Sequence, residues 1–278
     1  MSWDAPQASP LADGRLHLHH GPIDLIIESF GPGADASYAR AAHVFQTVLI
    51  DLAGELPDLR RPITDGPVLT GAIAQAMSAV VRPYAPVFVT PMAAVAGAVA
   101  DYVLAALVDG PGIAKAYVNN GGDVAFFLTT GAVFNAGIFA EQPGAFQVQY
   151  ENPARGIATS GWRGRSHSLG IADAVTVLAE NAAAADVAAT LIANAVDVPG
   201  SPKIKRAPAV ELAPDSDLGE QLVTIDVGEL SESETAGALD LGTAYAQRIL
   251  ERGLIYGAAL QLNGDVRFVT SEGSQQLL

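Results

Sequence analysis

The segment "NAAAADVAATLIANAV" (181–196) constrains the fold more than any other stretch of the chain. Its side chains are nearly all methyl-sized, so a helix built from it can approach its neighbours closely. It still carries a carboxylate at Asp186 and a hydroxyl at Thr190. A spacing of four stacks these two groups on one helical face. Either they serve a local hydrogen bond or an exposed face, or they meet something together. The alanines before Asp186 cannot satisfy its charge, and a hard cation such as Mg²⁺ seeks carboxylate and hydroxyl oxygens of this kind.

A second small-residue helix is read in "MAAVAGAVADYVLAALVDGPG" (92–112), stopped by Gly and Pro and carrying its own embedded carboxylate, Asp101. The apolar run around it, 87–108, is interrupted by Pro91 and Asp101 and reads as a strand end and a buried helix, not a membrane span. The faint likeness of the two alanine-rich helices is compatible with an internal duplication.

Alternating elements surround these helices. "RLHLHHGPIDLIIESF" (15–30) predicts a hairpin about a Gly-Pro turn, and "DASYARAAHVFQTVLIDLAGEL" (35–56) a helix capped by Asp35. A helix ending near Val81 and a strand over "YAPVFVTP" (84–91) follow. Strands are expected within 115–140 around a Gly-Gly-Asp turn, then in "AFQVQYE", "GIATSG" and "DAVTVLAE". Residues 196–222 read as irregular, 231–252 as a last helix, and 253–270 as a final hairpin. No composition shift marks a linker, so a single domain over 1–278 is expected, with flexible ends at 1–14 and 271–278.

Charge and composition remove whole classes of function. With 30 acidic and 15 basic residues the formal charge is -15, a field that repels nucleic acid and anionic membranes. The chain has no cysteine, which excludes disulfides, thiolate metal sites and a cysteine nucleophile. The first residues carry no signal-peptide pattern, and the cytoplasm is the expected location.

Four further stretches could carry chemistry. In "NNGGD" (119–123), Gly121 and Gly122 either make a simple turn or let backbone amides approach a phosphate or ring. "IATSG" (157–161) offers the hydroxyls of Thr159 and Ser160 at a strand end. His167, in "GRSHSLG" after Arg163 and Arg165, is an exposed loop histidine or a phosphate contact and acid/base group beside two cations. His17 and His19 of "HLHH" share a strand face and read as surface residues in preference to metal ligands.

In order, "AYVNNGGDVAFF", "GIATSGW", "SH" and "AADVAATLIANA" resemble the motif series of the ApbE superfamily, the FAD:protein FMN transferases. The series there is Asn-x-Gly-Gly-Asp, Thr-Ser-Gly, Ser-His and Ala-Asp-x-x-x-Thr-Ala. Upstream, Gly97 and Asp101 match positions of the family's Ala-Lys-Gly-Tyr helix, so the likeness spans roughly residues 90–196.

The resemblance implies an α+β, ApbE-like (T-fold-like) domain with a mixed or antiparallel sheet and small-residue-rich helices. It implies Asp186 and Thr190 as Mg²⁺ ligands, and His167, Thr159 and Ser160 as catalytic residues along the pyrophosphate of FAD. Asn119, Asn120, Gly121, Gly122, Asp123, Gly97 and Asp101 would shape the pocket of FAD or a related flavin nucleotide. The family transfers the FMN half of FAD to a Ser or Thr of an acceptor protein and releases AMP. The chain departs from it at Ala96, where the transferases carry lysine, and in the short "HSLGIAD" (167–173), which lacks the His-x-x-Asp-Pro loop. Through "HGPIDLII" (20–27) and "VTPMAAVAGAVAD" (89–101) it is most similar to a short cytoplasmic branch that forms an uncharacterised protein family. Two readings stay open: FMN transfer or FAD pyrophosphate cleavage, and non-catalytic flavin or nucleotide binding, alone or as partner of a metabolic enzyme. The sequence leaves the acceptor and any homo-oligomer undetermined.

Overall fold

The computed structural model describes residues 3–138, 144–164 and 166–270. Strands β1 (Gln7–Pro10), β2 (Leu16–His20) and β3 (Ile23–Phe30) lead into helix α1 (Ala34–Gly54), the single-turn α2 (Leu56–Leu59), α3 (Ala72–Val81) and α4 (Val95–Val108). Strands β4 (Lys115–Asn120), β5 (Asp123–Leu128), β6 (Val133–Ile138), β7 (Gly144–Gln149), β8 (Gly156–Ser160) and β9 (Ala174–Ala179) precede α5 (Ala182–Ala195). The chain continues through β10 (Ile204–Pro208), α6 (Ala209–Leu212), β11 (Leu222–Val227), α7 (Glu232–Glu251), β12 (Gly257–Leu262) and β13 (Asp265–Thr270).

Nine strands form one sheet in the order β1-β2-β3-β4-β5-β8-β9-β12-β13, and every neighbouring pair in it is antiparallel. The pairs β6–β7 and β10–β11 stand apart as two-stranded ribbons. Period-two alternation divides the side chains of the large sheet. Leu18, Leu25, Val118, Ala158, Val177 and Leu260 point into one core with the long helices. Phe126, Leu128, Ile157 and Leu178 point the other way, into a smaller core closed by Phe134 of β6 and Val148 of β7. The Phe126 and Phe134 rings stack at 4.5 Å with their planes 4° apart.

Small residues set the depth of helix packing. A Cβ placed on Gly97 of α4 would lie 2.3 Å from the carbonyl oxygen of Ala182 in α5, so only glycine lets these helices touch there. The segment Pro91–Val108 is long and apolar enough by composition to cross a membrane. It packs instead as a core element, with Val99, Ala100, Val103 and Leu107 fully buried.

Both predicted hairpins form, β2–β3 across Gly21–Pro22 and β12–β13 across Asn263–Gly264. The helices expected at 35–56 and 231–252, and that ending near Val81, also form. Three local expectations are corrected. Residues 84–91 are not a strand: Pro86 and Pro91 lack the N–H that a ladder requires, and the stretch runs as loop into a 3₁₀ turn at Pro91–Ala94. Gly33 occupies the cap position of α1, leaving Asp35 in its first turn, where a carboxylate still favours the helix dipole. Residues 196–222, expected as irregular, contain β10 and α6. Within the lead-in 1–14, Gln7–Pro10 form β1 paired with β2; residues 1–2, 165 and 271–278 lie outside the described residues.

Candidate functional site

The two alanine-rich helices answer each other's ends. A helix begins with backbone N–H groups that have no partner within it. At the start of α5, Ala182 and Ala183 donate to Oδ1 and Oδ2 of Asp101 in α4, at 3.0 and 2.9 Å. Ala184 donates to the Asn181 side chain at 2.8 Å. Near the start of α4, the Gly97 N–H donates to Oδ2 of Asp186 in α5, at 3.0 Å. Each embedded carboxylate thus caps the other helix. The N-terminal amides of α5 are thereby already used.

Asp101 is thus half-buried in the α4–α5 contact and lines neither of the two clefts described below. Burial pushes its carboxyl up to about 6, against the downward pull of the two N–H donors. Gly97 also serves this contact through its N–H and its missing side chain. Asn120 faces the helices and donates from Nδ2 to the Ala96 carbonyl at 3.0 Å.

Asp186 and Thr190 line a cleft of about 280 Å³ on the helix side of the sheet. The structure brings Asp123 and His167 to the same cleft, together with three residues that sequence reasoning missed: Thr90, Asn194 and Asp217. Thr90 caps the turn at Pro91–Ala94 by accepting from the Met92 N–H, and its hydroxyl donates to the Asp217 carboxylate, tying the 216–218 loop to the cleft. Asn194 Oδ1 accepts from Ser168 Oγ and the Leu169 N–H, anchoring the loop that carries His167. The Thr-Pro pair ahead of a helix signalled this cap in the sequence; nothing local signalled Asp217.

The electrostatics of this cleft are one-sided. Burial is the largest cause that raises the Asp186 carboxyl well above the ordinary carboxylate range, and the neighbouring charge of Asp123 adds to it. Among the described residues of the lining, Asp123, Asp186 and Asp217 are acidic and none is Lys or Arg. Among the described residues no three His or acidic side chains cluster as a ready metal cage. The donors present are nonetheless oxygens of the hard type, two of them on a face that disfavours its own negative charge, and these fit a divalent cation that completes its shell with phosphate and water.

A second cleft, of about 570 Å³, opens on the opposite face of the sheet, beside β6. Asn119, Gly121, Gly122 and Thr159 line it, with Glu28, Lys115, Tyr117 and Phe134, which sequence reasoning did not single out. The alternation of "KAYVNN" (115–120) was the available signal, since it puts Lys115, Tyr117 and Asn119 on one face. Gly121 and Gly122 have φ of 67° and 119°, a left-handed path that suits glycine, and the Gly122 N–H donates to Asn119 Oδ1 at 2.8 Å. The clefts share a wall, because the Thr159 N–H donates to Asp123 Oδ1 at 3.3 Å. Ser160 ends β8 half-buried and lines neither cleft, apart from Thr159 with which it was grouped. His17 and His19 lie on the outer face of β2, and His17 Nε2 is 3.2 Å from Asp24 Oδ1.

The same fold is found in a variant of the flavin transferase ApbE from Vibrio cholerae, which aligns over all of both chains with 12% identity and a TM-score of 0.51. UPF0280 proteins are the sequence relatives. That of Methanopyrus kandleri is 40% identical over 124 residues, 44% of this chain and 48% of the relative. That of Methanothrix thermoacetophila is 41% identical over 113 residues, 39% of this chain and 46% of the relative. The match thus spans about half the length of these curated relatives. The model of the family described as AbpE bacteria matches residues 8–268, and the chain belongs to that family, a member of the ApbE-like superfamily.

Proposed function

We propose that this protein binds the pyrophosphate of FAD, or of a related flavin dinucleotide, in the helix-side cleft, with Mg²⁺ held by Asp186 and Thr190. The observation that carries the reading is the charge of that cleft. An acidic lining with no Lys or Arg among its described residues offers a pyrophosphate no counter-charge, and a divalent cation on Asp186 would supply it. The α5 amides, a common alternative anchor for phosphate, are already spent on Asp101 and Asn181. Bound Mg²⁺ would neutralise charge on the phosphoryl oxygens.

The reaction in this reading is FMN transfer. The hydroxyl oxygen of a Ser or Thr on an acceptor protein attacks the phosphorus on the FMN side of the pyrophosphate, the bond to the AMP oxygen breaks, and AMP leaves. Asp186 is held in place for this by the Gly97 N–H. His167, half-buried in the same lining, would take the hydroxyl proton in this reading. Thr159 acts on Asp123 through its backbone and reaches the reaction only across the shared wall.

A second reading, binding without transfer, is favoured by Ala96. It lines the cleft as a methyl group where the transferases carry lysine. Chromatography of AMP separates the two. Transfer predicts little release from FAD and Mg²⁺ alone, marked release when a Ser/Thr-bearing acceptor is added, and loss of release in His167→Gln. FAD binding with no release toward any acceptor selects the binding reading. Rapid release without an acceptor would identify a hydrolase.

A further inference from the structure

We propose that a cavity at the amino-terminal edge of the large sheet, apart from both clefts, is a binding site for a guanidinium group. The cavity measures about 210 Å³ and shares no lining residue with either cleft. Its walls include Trp3, Asp4 and Gln7 of the lead-in on one side, and His19, His20 and Gly21 of β2 and its turn on the other.

The chain makes this space for a local reason. The β1–β2 ladder starts at Gln7 opposite His19, and Pro6 before it has no N–H to carry the pairing further. Beyond that point Trp3 comes back to the β2–β3 turn. A Cβ on Gly21 would lie 2.8 Å from Trp3 Cε3, so glycine there lets the indole rest against the backbone.

The lining selects the ligand. His20 is 3% exposed, its ring meets Phe45 edge-on, and its Nδ1 has no hydrogen-bond partner among the described residues. A buried polar atom left unpaired is costly. With the imidazole proton on Nε2, a ligand N–H satisfies it. Asp4 makes no ion pair among the described residues, and the lining contains no Lys or Arg. Trp3 adds an aromatic wall, which attracts cations. A guanidinium matches all three features: it is planar, weakly hydrated and able to stack on an indole, and its N–H groups pair with a carboxylate while leaving others for His20. An ammonium is a more strongly hydrated point charge, and an anion finds no counter-charge. A cavity of this size is smaller than pockets that enclose whole drug-sized ligands, so it admits a head group.

Methylguanidinium is the probe, titrated into the full chain at constant ionic strength so that screening is fixed. The backbone amide signals of His20 and Gly21 should shift to saturation at millimolar concentration. Asp4→Asn and Trp3→Ala, both at exposed positions, should each weaken binding by about tenfold or more. Asp4→Asn keeps the indole in place and carries the test if Trp3→Ala loosens the lead-in. An acetylated and amidated Gly-Arg-Gly peptide distinguishes the sources. If it binds as tightly as methylguanidinium, the cavity accepts an arginine of a partner protein; if only methylguanidinium binds, the ligand is a free small molecule. No saturable shift in wild type, which would leave the cavity to water, overturns the proposal, as does equal affinity in Asp4→Asn. Methylammonium binding as tightly as methylguanidinium overturns the guanidinium assignment.

Discussion

At the scale of single residues, Asp186 has two tasks. Its carboxylate accepts from Gly97 and holds α4, and in the proposed reading it also holds a cation. The informative substitution is therefore Asp186→Asn, whose amide oxygen still accepts from Gly97 while its charge is gone. FAD with Mg²⁺ should raise the melting temperature of wild type more than FAD with EDTA, since ligands stabilise the state they bind. In Asp186→Asn that difference should vanish with the unliganded melting temperature little lowered. A difference that persists would remove Asp186 from the metal site. Asp101 makes a separate prediction with pH. Its folded value of about 6 lies above the ordinary 3.8, so the folded state holds the proton more tightly than the unfolded state. Its contribution to stability is full at pH below the ordinary value and is lost as pH rises through about 6. The upward shift of Asp186 has the same sign. The half-buried Glu234 is held down to about 2, chiefly by Lys203, and its contribution is lost only at lower pH, as pH falls toward that value. Thermal melts between about pH 7.5 and about pH 5 should show the protein gaining stability on acidification, with a flatter slope in Asp101→Asn. An equal slope in that variant would show that Asp101 does not titrate in this window.

At the scale of elements, the reciprocal caps make α4 and α5 one unit. Gly97 is a close-contact point on the α4 side, because a Cβ there would meet the Ala182 carbonyl at 2.3 Å. Gly97→Ala should destabilise the protein by about 1–3 kcal/mol through backbone displacement, read from the urea midpoint at unchanged slope. It should also weaken magnesium pyrophosphate binding, since Asp186 moves with the contact. A stability loss with undiminished binding would mean that the caps support the fold without setting the site. The helices themselves were legible in the sequence from periodicity and small residues. Their mutual capping was not, because Asp101 and Ala182 are joined only by tertiary packing.

At the scale of the whole molecule, the β4–β5 hairpin is the partition. It presents Asn119, Gly121 and Gly122 to one cleft and Asp123 to the other. A dinucleotide spanning both should slow hydrogen exchange in the 119–123 turn, at the start of β6 and in the loop carrying His167 together. Protection confined to one face would indicate a ligand that occupies one cleft only. The net charge of -15 adds a general electrostatic barrier to anionic ligands, which divalent cations lower.

The sequence by itself determined the parts whose cause is local. Helix and strand periods, the Gly-Gly and Asn-Gly turns and the capped last helix follow from a few adjacent residues, and so does the pairing of Asp186 with Thr190 on one face. The motif order added the family, because it samples many such positions at once. Tertiary structure alone decided which candidates meet. Asp101 and Asp186 look alike in the chain, each a carboxylate in an alanine-rich helix, yet one is consumed by the α5 amides and the other faces a cleft. Asp217 reaches that cleft from a loop that resembles many others, and Thr159 and Ser160, adjacent in sequence, part company because strand side chains alternate. Such distinctions depend on which face of a sheet a residue takes and on what packs against it, and those are set by contacts between segments far apart in the chain.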